Sequence, residues 1–263
     1  MSLVALALRI ATLKALRGAT LCQDRVFDSP MEPLDVTIEG ERGPYLAVFI
    51  DREDHRPMVK DMLSGEGRSF EIVIHCMLPE RAALVGSDGE TYSIDTSDKG
   101  GELVQNIINR QIVRALQASD GLWANLWRDF VINVERLMSR PYLIELQPTV
   151  RMSARELQVT VTGIDEPSFG EGMHEPWESL LTAMEADSEL APIAKVIEAE
   201  LTDMGALPDW RQAMVAQNIS LYAVQGIGLA PVDVTQTVDE AAQLDQIIID
   251  GNGQVSQDPE DQP

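Results

Sequence analysis

The 263-residue chain holds only two cysteines, Cys22 and Cys76. That excludes a disulfide-built scaffold and leaves open two reduced thiols or a single bridge. Aromatic residues are scarce, at 5%. Basic residues number 20 against 43 acidic ones, a formal net charge of -23. Binding to phosphate needs a surplus of Lys and Arg, so this balance argues against non-specific DNA binding and against adhesion to anionic membrane surfaces. No stretch approaches the roughly 20 apolar residues of a bilayer span. The N-terminal MSLVALALRIATLKALRG starts apolar, but Arg9, Lys14 and Arg17 lie within and after the apolar stretch. A secretory signal carries its charge before that stretch, so a soluble, unexported protein is expected.

Signatures of chemistry are also missing. There is no GxGxxG, no GxxxxGK followed by Ser or Thr, and no GxSxG. The three histidines, His55, His75 and His174, have no second ligand at metal spacing and read as structural. Cys22 and Cys76 form no CxxC, and His75 and Cys76, adjacent on a predicted strand, point to opposite faces. Asp250-Gly-Asn252-Gly matches the first positions of a calcium loop, but Val255 and Asp261 stand where that loop needs Gly and Glu. The segment therefore reads as a turn. No catalytic residue, cofactor or metal is expected, and the acidic clusters read as solvated faces.

What is present is an ordinary globular composition, 44% hydrophobic and 24% charged. The charge is unevenly placed. Residues 1–165 hold 24 acids and 18 bases, whereas residues 166–263 hold 19 acids and two bases, Lys195 and Arg211. This shift predicts a near-balanced core domain over 1–165 and a linker over 166–176. An acidic extension over 177–250 and a disordered tail over 251–263 complete the division.

Residues 2–17 predict an amphipathic helix with Leu3, Leu6, Ala7, Ile10 and Leu13 on its stripe, stopped at Gly18. Tyr45–Ile50 predicts a strand buried on both faces. Residues 51–68 predict a polar loop, and Phe70–Leu78 alternates as a strand. Residues 80–100 predict a loop with a small hairpin at Asp88-Gly89. Gly101–Gln117 predicts a helix, and Leu122–Met138 a second, stopped by Pro141. Tyr142–Arg151 and Glu156–Gly163 predict a hairpin around Ser153 and Ala154. Helices follow over Pro176–Ala186 and Ser188–Met204, a third starts at Pro208, and Ile219–Val224 and Val232–Val238 suit strands. The order predicts an α+β fold, a mostly antiparallel sheet with helices on one face, plus the acidic α/β extension.

Two groups stand out as candidate subunit or partner contacts. Arg52, Arg56, Lys60 and Arg68 place four bases in one predicted loop, either a solvated connection or a rim that pairs with an acidic partner. Trp123 and Trp127, one helical turn apart, suit either core packing or an aromatic patch against a neighbouring subunit.

The order of the pieces over residues 1–165 resembles the tail terminator (minor tail protein U-like) proteins of long-tailed phages. The helix ALRIATLKALRGAT runs into CQDRVFDSPMEPLD, then the strands PYLAVFI and FEIVIHCMLPE. A helix with ELVQNIINRQIVRAL and a closing ELQVTVTGIDEP complete the order. The resemblance implies a structural, non-enzymatic protein that forms a homohexameric ring, caps the tail tube, ends tube polymerisation and docks to the head connector. The implied partners are other copies of itself, the tail tube protein and the head–tail connector protein, with DNA only as cargo and no membrane. The implied place is the head-proximal end of the virion tail, after assembly in the host cytoplasm. The acidic residues 166–263 fall outside the resemblance; they would line the DNA channel or decorate the outside. Another head–tail connector or tail component, or an acidic adaptor, is the alternative reading.

Overall fold

The computed structural model describes residues 2–30, 43–57, 65–79, 81–85, 91–95, 98–142, 152–167, 173–202, 248–249 and 255–256. The chain divides into two compact units, Met1–Asn218 and Ile219–Pro263. In the second, the strands Ile248–Ile249 and Val255–Ser256 pair antiparallel. Lys60, the turn at Asp250-Gly251-Asn252, and the elements expected near Pro208, Ile219–Val224 and Val232–Val238 lie outside the described residues.

The first unit is an α+β fold built on a five-stranded, mostly antiparallel sheet. Its strands are β1 (Val26–Asp28), β2 (Tyr45–Pro57), β3 (Gly65–Pro79), β6 (Val131–Tyr142) and β7 (Met152–Gly163), in the order β1-β2-β3-β7-β6. Among the described strands only β1 and β2 run parallel. Between β3 and β6 lie the small antiparallel pair β4 (Arg81–Val85) and β5 (Thr91–Asp95), which flanks the expected turn. The helices are α1 (Leu3–Leu16), α2 (Asp98–Leu116), α3 (Leu122–Phe130), α4 (Trp177–Glu185) and α5 (Ala191–Thr202).

Period-two alternation aims one set of side chains at the helices. Leu46 and Val48 of β2, Phe70 to Leu78 at every second residue of β3, and Leu157, Val159 and Val161 of β7 share one core with the helices. On the wet face Gln158, Thr160 and Thr162 are half-buried, as the alternation predicts. α1 is covered on nearly all sides, with Val4, Leu8, Ala11 and Leu16 fully buried. Ala5, on a different side of the helix from Ala7 and Ala11, is buried as they are, so the expected single stripe gives way to a central helix. Gly18 ends α1 with φ +70°, a conformation that costs glycine nothing.

Three expectations are corrected. The helix expected over Leu122–Met138 ends at Phe130, and Val131 begins β6. Three of the four residues Val131, Ile132, Asn133 and Val134 are β-branched, and the segment pairs along β7, which outweighs the helical spacing of Val134 and Leu137. The polar loop expected over 51–68 is largely strand: β2 continues to Pro57 and β3 starts at Gly65. Ser153 and Ala154 lie inside β7 rather than at a turn.

The charge break near residue 166 is not a break in packing. Trp177, Leu180, Met184, Ala194, Ile197 and Leu201 belong to the same buried core as the sheet. Phe130 meets Trp177 edge-on, with ring centroids 4.9 Å apart, and so joins α3 to α4. The acidity of residues 177–202 sits on the outer sides of helices whose inner sides are apolar.

Candidate functional site

The structure sorts the expected contact residues into three places. Arg52 is exposed and pairs with Asp54 at 2.5 Å. Arg56 is exposed and lies opposite Glu66 in the ladder. Arg68 is not a rim residue: its side chain is 4% exposed and pairs with Glu53 at 3.2 Å. Trp127 is buried in the core, whereas Trp123 is half-buried and packs against that core.

Arg56 lies on an arm, and Arg68 at its base. Pairing of β3 with β7 begins at Arg68↔Gly163, while pairing of β2 with β3 continues outward through Arg56↔Glu66 to Pro57↔Gly65. The two strands thus leave the sheet body as a ribbon. A β-bulge between Asp54 and Arg56 lies where the ribbon departs, and another between Ile50 and Arg52 lies in β2 just before it. Gly67, at φ +64°, takes a turn that strains other residues. Glu53 fastens the base of the arm, since one carboxylate oxygen accepts from Arg68 at 3.2 Å and the other accepts the Ser2 backbone N–H at 3.1 Å. His55, which the sequence placed in a loop, lies on β2 within this arm.

Trp123 lines a shallow depression of about 560 Å³ with Leu122, Lys14, Arg17 and the α4–α5 turn. Lys14 pairs with Asp187 and Glu189, and Arg17 reaches Glu189 at 2.9 Å. These cations hold the carboxyls of Asp187 and Glu189 below their ordinary range; for Asp187 the largest cause is the hydrogen bond from Lys14.

A third feature was invisible in the sequence because it needs strand register. His75, Glu156 and Arg140 stand side by side across β3, β7 and β6 on the face away from the helices. Glu156, 6% exposed, lies 3.4 Å from His75 and 2.7 Å from Arg140. Phe49 covers His75 with its ring centroid 5.3 Å away. Burial pushes the His75 pKa down, and Glu156 opposes it only in part. The row forms an ion-paired surface, with the carboxylate buried between two nitrogen groups. Cys76 points to the opposite face, as expected, and its buried thiol meets that of Cys22. His75 and Cys22 therefore lie on different sides of β3.

Among the described residues no three His, Cys, Asp or Glu side chains converge as a metal site requires. Among the same residues no helix is long and apolar enough to cross a membrane. Neither a protein-family model nor a curated protein sequence matches this chain.

Proposed function

We propose that this chain is a structural phage tail protein. It forms a ring that caps the tail tube, ends tube polymerisation and joins the tail to the head connector. The reading starts from the resemblance of residues 1–165 to tail terminators. The observation that carries it is the β2–β3 arm. A two-stranded ribbon is marginal in water by itself, so an arm anchored at its base by Glu53 and Arg68 and carrying Arg56 opposite Glu66 beyond that base suits capture by a neighbouring subunit.

A ring needs two different patches that meet head to tail. The arm with Arg56, and Arg52 on β2 beside its base, supply one. The depression beside Trp123 supplies the other, with exposed Leu122 and the Lys14, Arg17 and Glu189 charges at its rim. The partners are six copies of the chain, the tail tube protein and the head–tail connector protein. DNA passes through as cargo, and the protein resides at the head-proximal end of the virion tail.

The test is electron microscopy of the purified chain, joined to a growth assay with a tail tube protein. Rings of uniform diameter and arrested tube length are expected. A chain that stays monomeric at high concentration and leaves tube growth unchanged overturns the reading.

A further inference from the structure

We propose that β6 pairs with β6 of a second copy across a two-fold axis. Among the described residues β6 is the outermost strand and is bonded only to β7. It is 12 residues long, whereas proteins commonly keep edge strands short, charged or covered. Ile132 is 68% exposed, Val134 46% and Leu137 52%. Three large exposed apolar side chains on a strand with no second neighbour among the described residues call for an occupant.

The occupant follows from the order of side chains. Val134-Glu135-Arg136-Leu137 reads apolar, acid, base, apolar, and is complementary to its own reverse. Antiparallel pairing about the Glu135–Arg136 midpoint sets Glu135 against Arg136 of the partner subunit, twice. It also sets Val134 against Leu137 of the partner subunit, twice. The faces agree. Thr162 donates to Glu135 at 2.5 Å, and Arg136 is in register with Thr160, so both charges lie on the face away from the helices. Val134 and Leu137 are in register with buried Val161 and Val159, so both lie on the helix face. Charge meets opposite charge and apolar meets apolar, the pairings that stabilise neighbouring strands.

Other alignments lose this match. A parallel in-register contact stacks Glu135 on Glu135 and Arg136 on Arg136. Antiparallel pairing centred on Met138 opposes Arg136 to Arg140. Bulges between Val131 and Asn133 and between Val134 and Arg136 interrupt the backbone ladder, so the side chains at the centre of β6 carry the contact. An isologous contact closes at two copies. It therefore joins two free protomers or two rings, and is independent of the head-to-tail contacts proposed above.

Sedimentation velocity of the full chain tests the inference, with Glu135→Arg and Arg136→Glu run singly, mixed in equal amounts, and combined in one chain. Each single reversal sets like charges together twice and is expected to weaken dimerisation by about tenfold or more. The mixture restores opposite charges at both positions, and so does the combined variant; both are expected to dimerise within about threefold of the unaltered chain. Circular dichroism checks that the variants are folded. Should a reversal disturb β6, Glu135→Gln and Arg136→Gln each weaken dimerisation less, and their equal mixture regains one of the two ion pairs and dimerises more tightly than either alone. A monomeric unaltered chain, single reversals that dimerise normally, or a mixture that stays apart would each overturn the proposal. Loss of rings with this charge-swap pattern intact would count against the tail reading alone.

Discussion

The carboxylate of Glu166 accepts the backbone N–H of Val4 at 2.9 Å, and its other oxygen accepts that of Leu3 at 3.1 Å. A residue just past β7 thereby caps the first helix across more than 160 positions of sequence, beside the local cap in which Ser2 Oγ accepts from Ala5 at 3.0 Å. Both carboxylate oxygens meet orphan donors at the positive end of the helix.

Glu166→Ala is expected to lower folding stability by about 1–2 kcal/mol, the range for loss of a helix cap. Glu166→Gln keeps an acceptor and loses the charge, so a smaller loss of about 0.3–1 kcal/mol is expected. Urea unfolding monitored by circular dichroism reads both. An unchanged midpoint for Glu166→Ala would remove the long-range cap from the account of the fold.

The pH dependence follows from His75. Its pKa is held below the ordinary value, chiefly by burial. The unfolded chain therefore binds this proton more readily than the folded chain. Stability attached to His75 is fully present above about pH 6.5 and is lost as pH falls through the ordinary value towards the lowered one. His75→Gln is expected to flatten the stability profile between about pH 7 and pH 5. A profile as steep as that of the unaltered chain would assign the slope to other groups.

Much of this architecture was readable from residue order, and the failures share one cause. Alternation from Phe70 to Leu78 marked β3, because one face of that strand must reach the core. The expected turn at Asp88-Gly89 falls between β4 and β5. Asp51 to Arg56 carries no alternation of apolar residues, since that part of β2 is held by its partner strand rather than by the core. Val134 and Leu137 continued the helical spacing of Trp127 and Phe130, yet they stand exposed on an edge strand. The row of His75, Glu156 and Arg140 joins residues far apart in the chain, and only strand register brings them together. Arg68 gave no sign of burial, because its partner Glu53 lies on the facing strand.

Trp177 tests whether the acidic segment begins inside the core. Its side chain is buried against Phe130. Trp177→Ala is expected to cost about 3–5 kcal/mol of global stability. Residues 1–165 and 177–202 should then unfold in one transition, read by hydrogen exchange of β3 and α4 amides. An early melt of α4 and α5 with β3 still fully protected would show that the charge boundary near 166 is a folding boundary as well.

Cys22 and Cys76 are free and fully buried, and they meet inside the core. The Cys22 hydrogen bond and burial both push the Cys76 thiol well above its ordinary pKa. Thiolate is the reactive form, so the folded chain is expected to resist alkylating reagents at neutral pH. Labelling then requires opening of the core, and its rate should rise with urea in step with the unfolding equilibrium. Mass spectrometry of the labelled chain separates this from local fraying. In the expected case both cysteines gain their adducts together. Prompt modification of Cys22 alone in the absence of denaturant would mean that the turn at residues 20–24 opens independently of the sheet.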